Sequence, residues 1–491
     1  MGSIEENDGM LFNVVKNAIE GGARVGRLAL PKRQPADTPN YFGLTSRGAL
    51  PHITPDNLTK HTQLSGTYMA LEDFVETMQQ GLTPAIYKMA ATSEDTLQAY
   101  TATPSPIATI LGPRRHPAVT APMGNGKTHV SIHTSMGFRK LQNKAYAEAI
   151  NTLKPDIAIP LADLTFAYEE SKQKVSTAKR QSRMVDRTED WLAQFFNVLD
   201  TGEDEKSAGT HVFAPILPVP YPLQWEYLNR LTQDHISGIS GLAVYDTDIL
   251  PDLKDYPRLQ TLPRLSLDFL VSPQEILRQV QLGIDLFTVP FVNTTSDAGI
   301  ALTFTFPPPP PTEKVLPLGT NMWSQEHQVS LKPLKEGCGC YACTKHHSAY
   351  LHHLLNAKEM LGWTLLQIHN HYVLSDFFAG VRSTIAAEPS SFEANVELFS
   401  RVYEPEVPKG TGLRPRARGY HFKSEGGGPK INRPAWGKLE AEADQTEDPT
   451  VVAEMAGLAV TGAAAEGTET PTIPEVDSEE LNKTGFANVD K

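Results

Sequence analysis

All three cysteines of this 491-residue chain fall within six consecutive positions, at Cys338, Cys340 and Cys343. Thiolates spaced in this way can converge on one soft metal ion, and three cysteines with one histidine form a common tetrahedral zinc shell. The spacing therefore predicts a structural zinc site in which no coordination position stays open for catalysis. The alternative interpretation of the same cluster is a set of buried structural thiols.

The fourth ligand has to be chosen among several histidines. His346 and His347 follow the last cysteine so closely that little chain remains to wrap around one ion. His352 and His353 lie on the helix that we predict next. His369 lies 26 residues beyond the last cysteine, where a helix can bring its ring back to the cysteine loop. We favour His369 on this ground.

The net charge of −13 is concentrated in the C-terminal tail. Residues 439–491 contain 13 acidic side chains and two basic ones, Lys483 and Lys491, so this segment carries −11 and residues 1–438 carry −2. Because the body of the chain is almost neutral, the net charge does not exclude a nucleic-acid partner. We expect the acidic tail to be disordered.

Several features predict a cytoplasmic protein. The clustered cysteines leave no disulfide framework, which favours a reducing compartment. The first eight residues are acidic and resemble neither a secretory signal nor a transit peptide. No apolar run approaches the roughly 18 residues of a membrane span, so we predict no integral membrane segment.

Strand and helix patterns alternate along the first 300 residues. A helical stripe contains Tyr146, Ala149, Ile150 and Leu153, at the spacing of a half-buried helix. We predict strands at residues 156–161, 211–217 and 239–244, and helices at residues 138–154 and 224–232.

The clearest strand–helix–strand unit covers residues 264–291. Residues 265–271 are strand-like, and Ser272-Pro-Gln-Glu275 reads as a capping box with Pro273 at the first helical position. Gly283 ends the helix, and residues 284–291 form the next predicted strand. Repetition of this unit implies a parallel sheet. We predict an α/β fold with a (β/α)8 TIM-type barrel, and an open doubly wound sheet is the alternative.

The predicted organisation has six parts. We expect an N-terminal lead-in with a hairpin, a barrel, a Pro-rich connection with five consecutive prolines, a zinc-binding subdomain, a basic loop segment and the acidic tail. These parts cover residues 1–39, residues 40–306 with part of 373–400, residues 307–335, residues 336–372, residues 401–438 and residues 439–491.

Two further motifs have competing interpretations. Ala121-Pro-Met-Gly-Asn-Gly-Lys-Thr128 nearly matches a phosphate-binding loop, but Ala121 replaces the first glycine, and Asn125-Gly126 is typical of a hairpin turn. We therefore favour a hairpin there. The basic, aromatic residues 414–423 are suited to phosphate contact and base stacking, or form a solvated linker, which we favour slightly.

The cysteine region resembles the tRNA-guanine transglycosylase (queuine tRNA-ribosyltransferase) family. The similar stretch is Gly337-Cys-Gly-Cys-Tyr-Ala-Cys-Thr-Lys-His-His-Ser-Ala-Tyr-Leu-His-His-Leu-Leu355, followed by Ile368-His-Asn370. The family binds zinc with its Cys-x-Cys-x-x-Cys motif and the histidine of a later His-Asn pair. The resemblance therefore implies one zinc ion at Cys338, Cys340, Cys343 and His369, and a (β/α)8 barrel fold.

The similarity extends upstream, where it also shows departures from the family pattern. Arg24-Val-Gly-Arg-Leu28 resembles the family's opening hairpin, and Gly283-Ile-Asp-Leu-Phe287 resembles the approach to its nucleophile. In catalytic members an aspartate follows this motif and attacks the ribose; here the position is Thr288. A threonine hydroxyl without an activating base is a poor nucleophile. We therefore predict no catalytic residue in this chain.

Other parts of the catalytic pattern are also missing. The family's Asp-Ser-Gly-Gly-Phe-Gln segment, which holds its general acid/base, occurs nowhere in the chain. Leu217-Pro-Val219 stands in place of its Gln-Gly-Gly, and Ser240-Gly-Leu242 in place of its Gly-Gly-Leu. Asp163 resembles a base-recognising aspartate of the family, although its position in the sequence is displaced by one residue.

This combination resembles the non-catalytic accessory subunits of eukaryotes. The resemblance implies a heterodimer with a catalytic queuine tRNA-ribosyltransferase subunit, which exchanges guanine for queuine at the wobble position of tRNAs with GUN anticodons. It also implies contact with tRNA through the complex, and family analogy suggests peripheral association with the mitochondrial outer membrane. The alternatives are an enzyme active on its own through Asp163 or Asp285, and an unrelated zinc-dependent nucleic-acid-binding module.

Overall fold

A computed structural model describes residues 11–17, 22–75, 83–89, 95–119, 121, 124–164, 177–200 and 209–411. The basic segment 414–423 and the acidic tail 439–491 lie outside the described residues. The described chain begins with a small antiparallel sheet in which the second strand pairs with both others. Its strands are β1 (Phe12–Asn17), β2 (Arg24–Leu28) and β3 (Ala36–Thr38).

The prediction of a (β/α)8 barrel is confirmed. Eight strands close into a barrel in which every neighbouring pair is parallel and follows chain order, so the last strand pairs with the first. A separate antiparallel hairpin lies between the third and fourth barrel strands. The strands are β4 (Asn40–Leu44), β5 (Gly66–Ala70), β6 (Ala108–Gly112), the hairpin β7 (His129–Thr134) and β8 (Gly137–Gln142), then β9 (Ile157–Ala158), β10 (His211–Ile216), β11 (Ile239–Val244), β12 (Arg264–Ser266) and β13 (Leu286–Thr288).

Helices connect successive barrel strands, and 3-10 helices occur at Leu71–Asp73 and Thr247–Asp255. The long crossovers that parallel strands require explain this alternation. The helices are α1 (Pro55–His61), α2 (Ala85–Met89), α3 (Thr96–Thr101), α4 (Asn143–Leu153), α5 (Ala178–Asp200), α6 (Tyr221–Gln233), α7 (Pro257–Gln260), α8 (Pro273–Gln281) and α9 (Pro290–Asp297).

The chain then forms the region that contains the cysteines. A two-stranded antiparallel sheet and a 3-10 turn at Gln325–His327 precede four helices. These elements are β14 (Ile300–Leu302), β15 (Gly319–Asn321), α10 (Tyr341–Lys345), α11 (Ser348–Asn356), α12 (Met360–Ala387) and α13 (Pro389–Val402).

The barrel interior is a packed apolar core. Phe42, Ile110 and Phe213 belong to one buried cluster, which also contains Phe12 and Leu28 of the N-terminal sheet. This sheet therefore packs against the barrel at the end where the strands begin. The opposite end, where the strands finish, is the side on which barrels of this type bind ligands.

Several predicted boundaries are wrong. The predicted helix 138–154 begins only at Asn143, because residues 137–142 pair with β7. The predicted strand 265–271 pairs only as far as Ser266. The predicted strand 284–291 ends at Thr288, because Pro290 takes the first position of α9, for which its fixed φ is preorganised.

The predicted capping box is only half right. Pro273 starts α8 as expected, but the Ser272 side chain makes no capping hydrogen bond. Glu275 instead accepts a hydrogen bond from the main-chain amide of Val271 at 2.7 Å, one residue before the expected donor. The helix forms without the reciprocal bond.

Candidate metal centre and barrel mouth

The three cysteines surround the start of a short helix. Cys340 lies at the N-terminal cap of α10, and its Sγ accepts a hydrogen bond from the amide of Cys343 at 3.3 Å. Gly337 precedes the loop with a φ of +73°, a conformation that side chains rarely adopt. The loop and the first turn of α10 together point the thiols towards one side.

His369 completes this group from the long helix α12. Its Nδ1 lies 3.4 Å from the sulfurs of Cys340 and Cys343 and 3.7 Å from that of Cys338. The four ligand atoms lie within 4.8 Å of one another. Zn–S bonds of about 2.3 Å and Zn–N bonds of about 2.0 Å at tetrahedral angles would separate sulfur and nitrogen by about 3.5 Å. The group can therefore hold a metal ion, and its dimensions agree with a zinc site.

A hydrogen bond fixes the orientation of the His369 ring. Its Nε2 donates to the main-chain carbonyl of Leu302 at 2.8 Å, which leaves the lone pair of Nδ1 facing the thiols. Carbonyl partners of this kind orient metal-ligating histidines in proteins. Burial lowers the pKa of His369, but its bonds to Cys338 and Cys343 more than offset this effect and raise the pKa to about 9. A proton on Nδ1 and a metal ion would compete for the same position beside the sulfurs, so metal binding would release this proton.

The neighbouring Asn370 anchors the strand that holds this carbonyl. Its fully buried side chain accepts from the amide of Leu302 at 2.8 Å and donates to the carbonyl of Ile300 and to Ser296 Oγ, both at 2.9 Å. His369 and Asn370 together fasten α12 to β14. Because His369 and Asn370 are consecutive, both side chains can bind the same strand, β14.

The other histidines near the cysteines have different partners. His347 accepts from the amide of Tyr350 and so caps α11, and His346 stacks on the ring of Tyr350. His352 is bonded through Nδ1 to the carbonyl of Met322. Within the described part of the chain, the one group of metal-ligating side chains that converges in this way consists of Cys338, Cys340, Cys343 and His369.

Thr288 lies at the carboxyl end of β13, facing the side on which barrel enzymes carry out chemistry. Its side chain is fully buried, and its Oγ1 donates to the main-chain carbonyl of Ser266 at 3.1 Å. The partner of this hydroxyl is a carbonyl oxygen, which is too weak a base to activate it as a nucleophile.

Asp285 lies at the opposite end of the same strand. Arg24 of β2 binds its two carboxylate oxygens at 2.8 and 2.6 Å, and the amide of Arg264 donates to it at 2.8 Å. The carboxylate is fully buried in these contacts. Asp285 therefore fastens the N-terminal sheet to the barrel, and the hypothesis that it serves as a nucleophile is not supported by its position.

Asp163 follows β9 and lies beyond the carboxyl end of that strand. Its side chain is fully buried and is bound by Arg180 and Arg187 of α5 and by Asn125. The sequence pattern alone does not predict these partners. The spacing of seven residues between Arg180 and Arg187, which places both on one helical face, was a usable signal.

The predicted hairpin at Asn125-Gly126 is wrong. The hairpin turn lies at residues 135 and 136, where Thr134 of β7 pairs with Gly137 of β8, and Gly137 has a φ of +98°. Asn125 instead directs its side chain to Asp163 at 2.8 Å. Leu217 and Val219 form a turn held by the buried side chain of Gln224.

Known proteins are similar to this chain over most of its length. A family model described as queuine tRNA-ribosyltransferase matches residues 19–405. A protein of Schizosaccharomyces pombe named queuine tRNA-ribosyltransferase accessory subunit 2 is 34% identical, over 86% of this chain and 91% of that protein. Proteins of the same name from Drosophila grimshawi and Culex quinquefasciatus are both 26% identical, over 76% and 72% of this chain and 89% and 81% of their own lengths. Among the described helices, none is both long and apolar enough to span a bilayer.

Proposed function

Because this chain belongs to the queuine tRNA-ribosyltransferase family, we propose that it is the non-catalytic subunit of a heterodimeric enzyme of that family. The proposed partner is a catalytic subunit, and the complex exchanges guanine for queuine at the wobble position of tRNAs with GUN anticodons. The names of the relatives, which are accessory subunits, support this function.

One observation carries the proposal for the chain itself. The position where catalytic members hold their nucleophile is Thr288, and its buried hydroxyl donates to the carbonyl of Ser266. The two candidate substitutes do not favour activity of the lone chain, because Asp285 is bound by Arg24 and Asp163 by two arginines. Buried carboxylates that are paired in this way are poor nucleophiles, since their charge is already neutralised.

We further propose that Cys338, Cys340, Cys343 and His369 hold one structural Zn²⁺ per subunit. Three thiolates and one imidazole are the donors that zinc prefers, and they leave no open coordination position. The ion would cross-link the cysteine loop to α12, and the bond from His369 to Leu302 would extend this link to β14. Metal binding would therefore stabilise the fold of this region.

Reconstitution tests this function. The chain is purified alone and after co-expression with a catalytic subunit that retains its aspartates, and the mass of each species is measured by light scattering. A one-to-one complex with base-exchange activity is the expected result. Two chains that stay separate at micromolar concentration, with exchange activity unaffected by this chain, would contradict the proposal.

A further inference from the structure

A lysine just before the cysteine loop is bound to the segment that follows β14. Lys335 is half-buried, and its Nζ donates to the main-chain carbonyl of Phe304 at 3.0 Å. The main-chain carbonyl of Lys335 accepts from the amide of Cys338 at 3.3 Å, so a turn leads from the lysine directly into the first cysteine. Lys335 therefore contacts the cysteine loop through its main chain and the end of β14 through its side chain.

The path of the chain after β14 places this ammonium group on the side of the metal ligands. His369 of α12 binds the carbonyl of Leu302, while the amide of Thr303 faces the other edge and donates to the segment before β15 at 3.0 Å. Carbonyls two residues apart in an extended chain face the same edge. The carbonyl of Phe304 thus follows that of Leu302 along one edge, and Lys335 and His369 bind these two carbonyls.

The metal group needs a compensating positive charge. A zinc ion bound by three thiolates and a neutral imidazole leaves one net negative charge, and Cys340 and His369 are buried. A buried charge is costly unless an opposite charge lies nearby. Burial lowers the pKa of Lys335, and the negative charges of Asp376 and of the three cysteines partly offset this effect. The ammonium group and the thiolates therefore stabilise each other's charge.

We propose that Lys335 is the cation that balances the negative charge of the zinc–thiolate group. It is not a ligand, because an ammonium group has no lone pair. Its charge would favour the thiolate form that binds the metal and would lower the reactivity of the sulfurs towards electrophiles. This inference rests on the proposed zinc site and adds to it a residue outside the ligand set.

Competition for Zn²⁺ between the full chain and a chelating dye measures the first effect. Lys335→Gln removes the charge and keeps a hydrogen-bond donor, and Lys335→Arg keeps both. We expect Lys335→Gln to bind Zn²⁺ about tenfold more weakly than the unmodified chain, and Lys335→Arg to stay within about twofold of it.

Alkylation by iodoacetamide at saturating Zn²⁺ measures the second effect, which a purely structural role of Lys335 would not produce. We expect the cysteines of Lys335→Gln to react about threefold faster than those of the unmodified chain, and those of Lys335→Arg to react at the unmodified rate. Lys345→Gln is the matched control, because it removes the same charge from an exposed position of α10 and should change neither measurement.

The outcomes separate Lys335 from the zinc site itself. An unmodified chain that binds no zinc overturns the site and this inference with it. If the unmodified chain binds zinc, equal affinities and alkylation rates in Lys335→Gln overturn the role of Lys335 alone. Equal changes in Lys335→Arg and Lys335→Gln also overturn it, because the residue then acts through packing and not through charge.

Lys335→Met is the second variant if Lys335→Gln does not fold, since methionine also fills the space of the side chain without its charge. Weaker zinc binding and faster alkylation in a folded Lys335→Met chain support the proposal. Failure of both variants to fold in the presence of Zn²⁺ overturns it, because Lys335 is then a requirement for folding.

Discussion

His369 donates the hydrogen of its Nε2 to the main-chain carbonyl of Leu302 at 2.8 Å. The same ring presents Nδ1 to three thiols, so one residue joins the strand β14 to the cysteine loop. A ligand oriented in this way is held before any ion binds. Substitutions of the ligands and substitutions of the groups that hold them should therefore both weaken metal binding.

Replacing Cys340 with serine should remove the metal and destabilise the protein. Serine is a poor ligand for a soft ion, and loss of a bound metal is among the substitutions with large effects, here about 3–5 kcal/mol of unfolding free energy. Metal content by atomic emission and urea unfolding measure the two effects. The control is Lys345→Ala, at an exposed position of α10.

An unchanged metal-to-protein ratio in Cys340→Ser would refute the assigned ligand set. Loss of metal from the control as well would mean that the region is fragile in general, and the result would then say nothing specific about Cys340.

Replacing Asn370 with alanine should weaken metal binding without removing a ligand. The substitution leaves the amide of Leu302 and the carbonyl of Ile300 without their side-chain partner, which we expect to cost about 2–4 kcal/mol. Chelator competition should release the metal faster than from the unmodified chain, because β14 no longer holds the His369 ring.

Asn356→Ala is the matched control for this experiment, since Asn356 is exposed at the end of α11. Release rates of Asn370→Ala that equal those of the control would contradict the role assigned to the side chain of Asn370.

Replacing Thr288 with alanine should leave the activity of the complex unchanged. The hydroxyl makes one hydrogen bond to Ser266, so we expect a loss of about 1 kcal/mol in stability and no loss in base exchange. The measurement is guanine exchange into tRNA by the reconstituted complex. A decrease beyond about tenfold, in a variant that still forms the complex, would make Thr288 a functional residue.

Stability should fall in mild acid because of His371. Its ring is buried, which lowers its pKa to about 3, and it is hydrogen-bonded to Tyr41 and Gln367. The unfolded chain takes up a proton below a pKa of about 6.5, whereas the folded chain does so only near 3. As the pH falls from about 6.5 to about 3, protonation of His371 in the unfolded chain therefore lowers the free energy of unfolding by about 1.4 kcal/mol per pH unit.

Urea unfolding of the unmodified chain and of His371→Gln at pH 7.5 and 5.5 isolates this effect, since other groups titrate in both proteins. We expect the unmodified chain to lose about 1 kcal/mol more than the variant between these conditions. Equal losses would show that His371 is accessible to protons in the folded state.

The barrel could be predicted from sequence because its signals are local. The apolar stripe at Tyr146, Ala149 and Ile150 does lie on the buried face of α4. The predicted start of that helix is wrong, because residues 137–142 have too few apolar positions to distinguish a strand of a hairpin from a helix. These residues form a strand because they pair with β7. The sequence of one segment does not show which other segment it pairs with.

The metal centre could also be predicted, since three of its residues lie within six positions of the sequence and the resemblance supplied His369. The side chains that bind the carboxylates of Asp163 and Asp285 could not be predicted from the sequence. Arg24 and Asp285 lie 261 residues apart and meet only because the N-terminal sheet covers the end of the barrel. The partners of Asp163 likewise come from α5 and from the segment before β7. Long-range ion pairs of this kind leave no local pattern.

The most direct test of the account is a base-exchange assay with the purified chain alone and with its catalytic partner. Labelled guanine is offered with tRNA of the GUN class, and incorporation is measured under identical conditions. We predict incorporation by the complex and none by the lone chain, because Thr288, Asp163 and Asp285 are all engaged in buried contacts. Incorporation by the lone chain, abolished by substitution of Asp163 or Asp285, would contradict it.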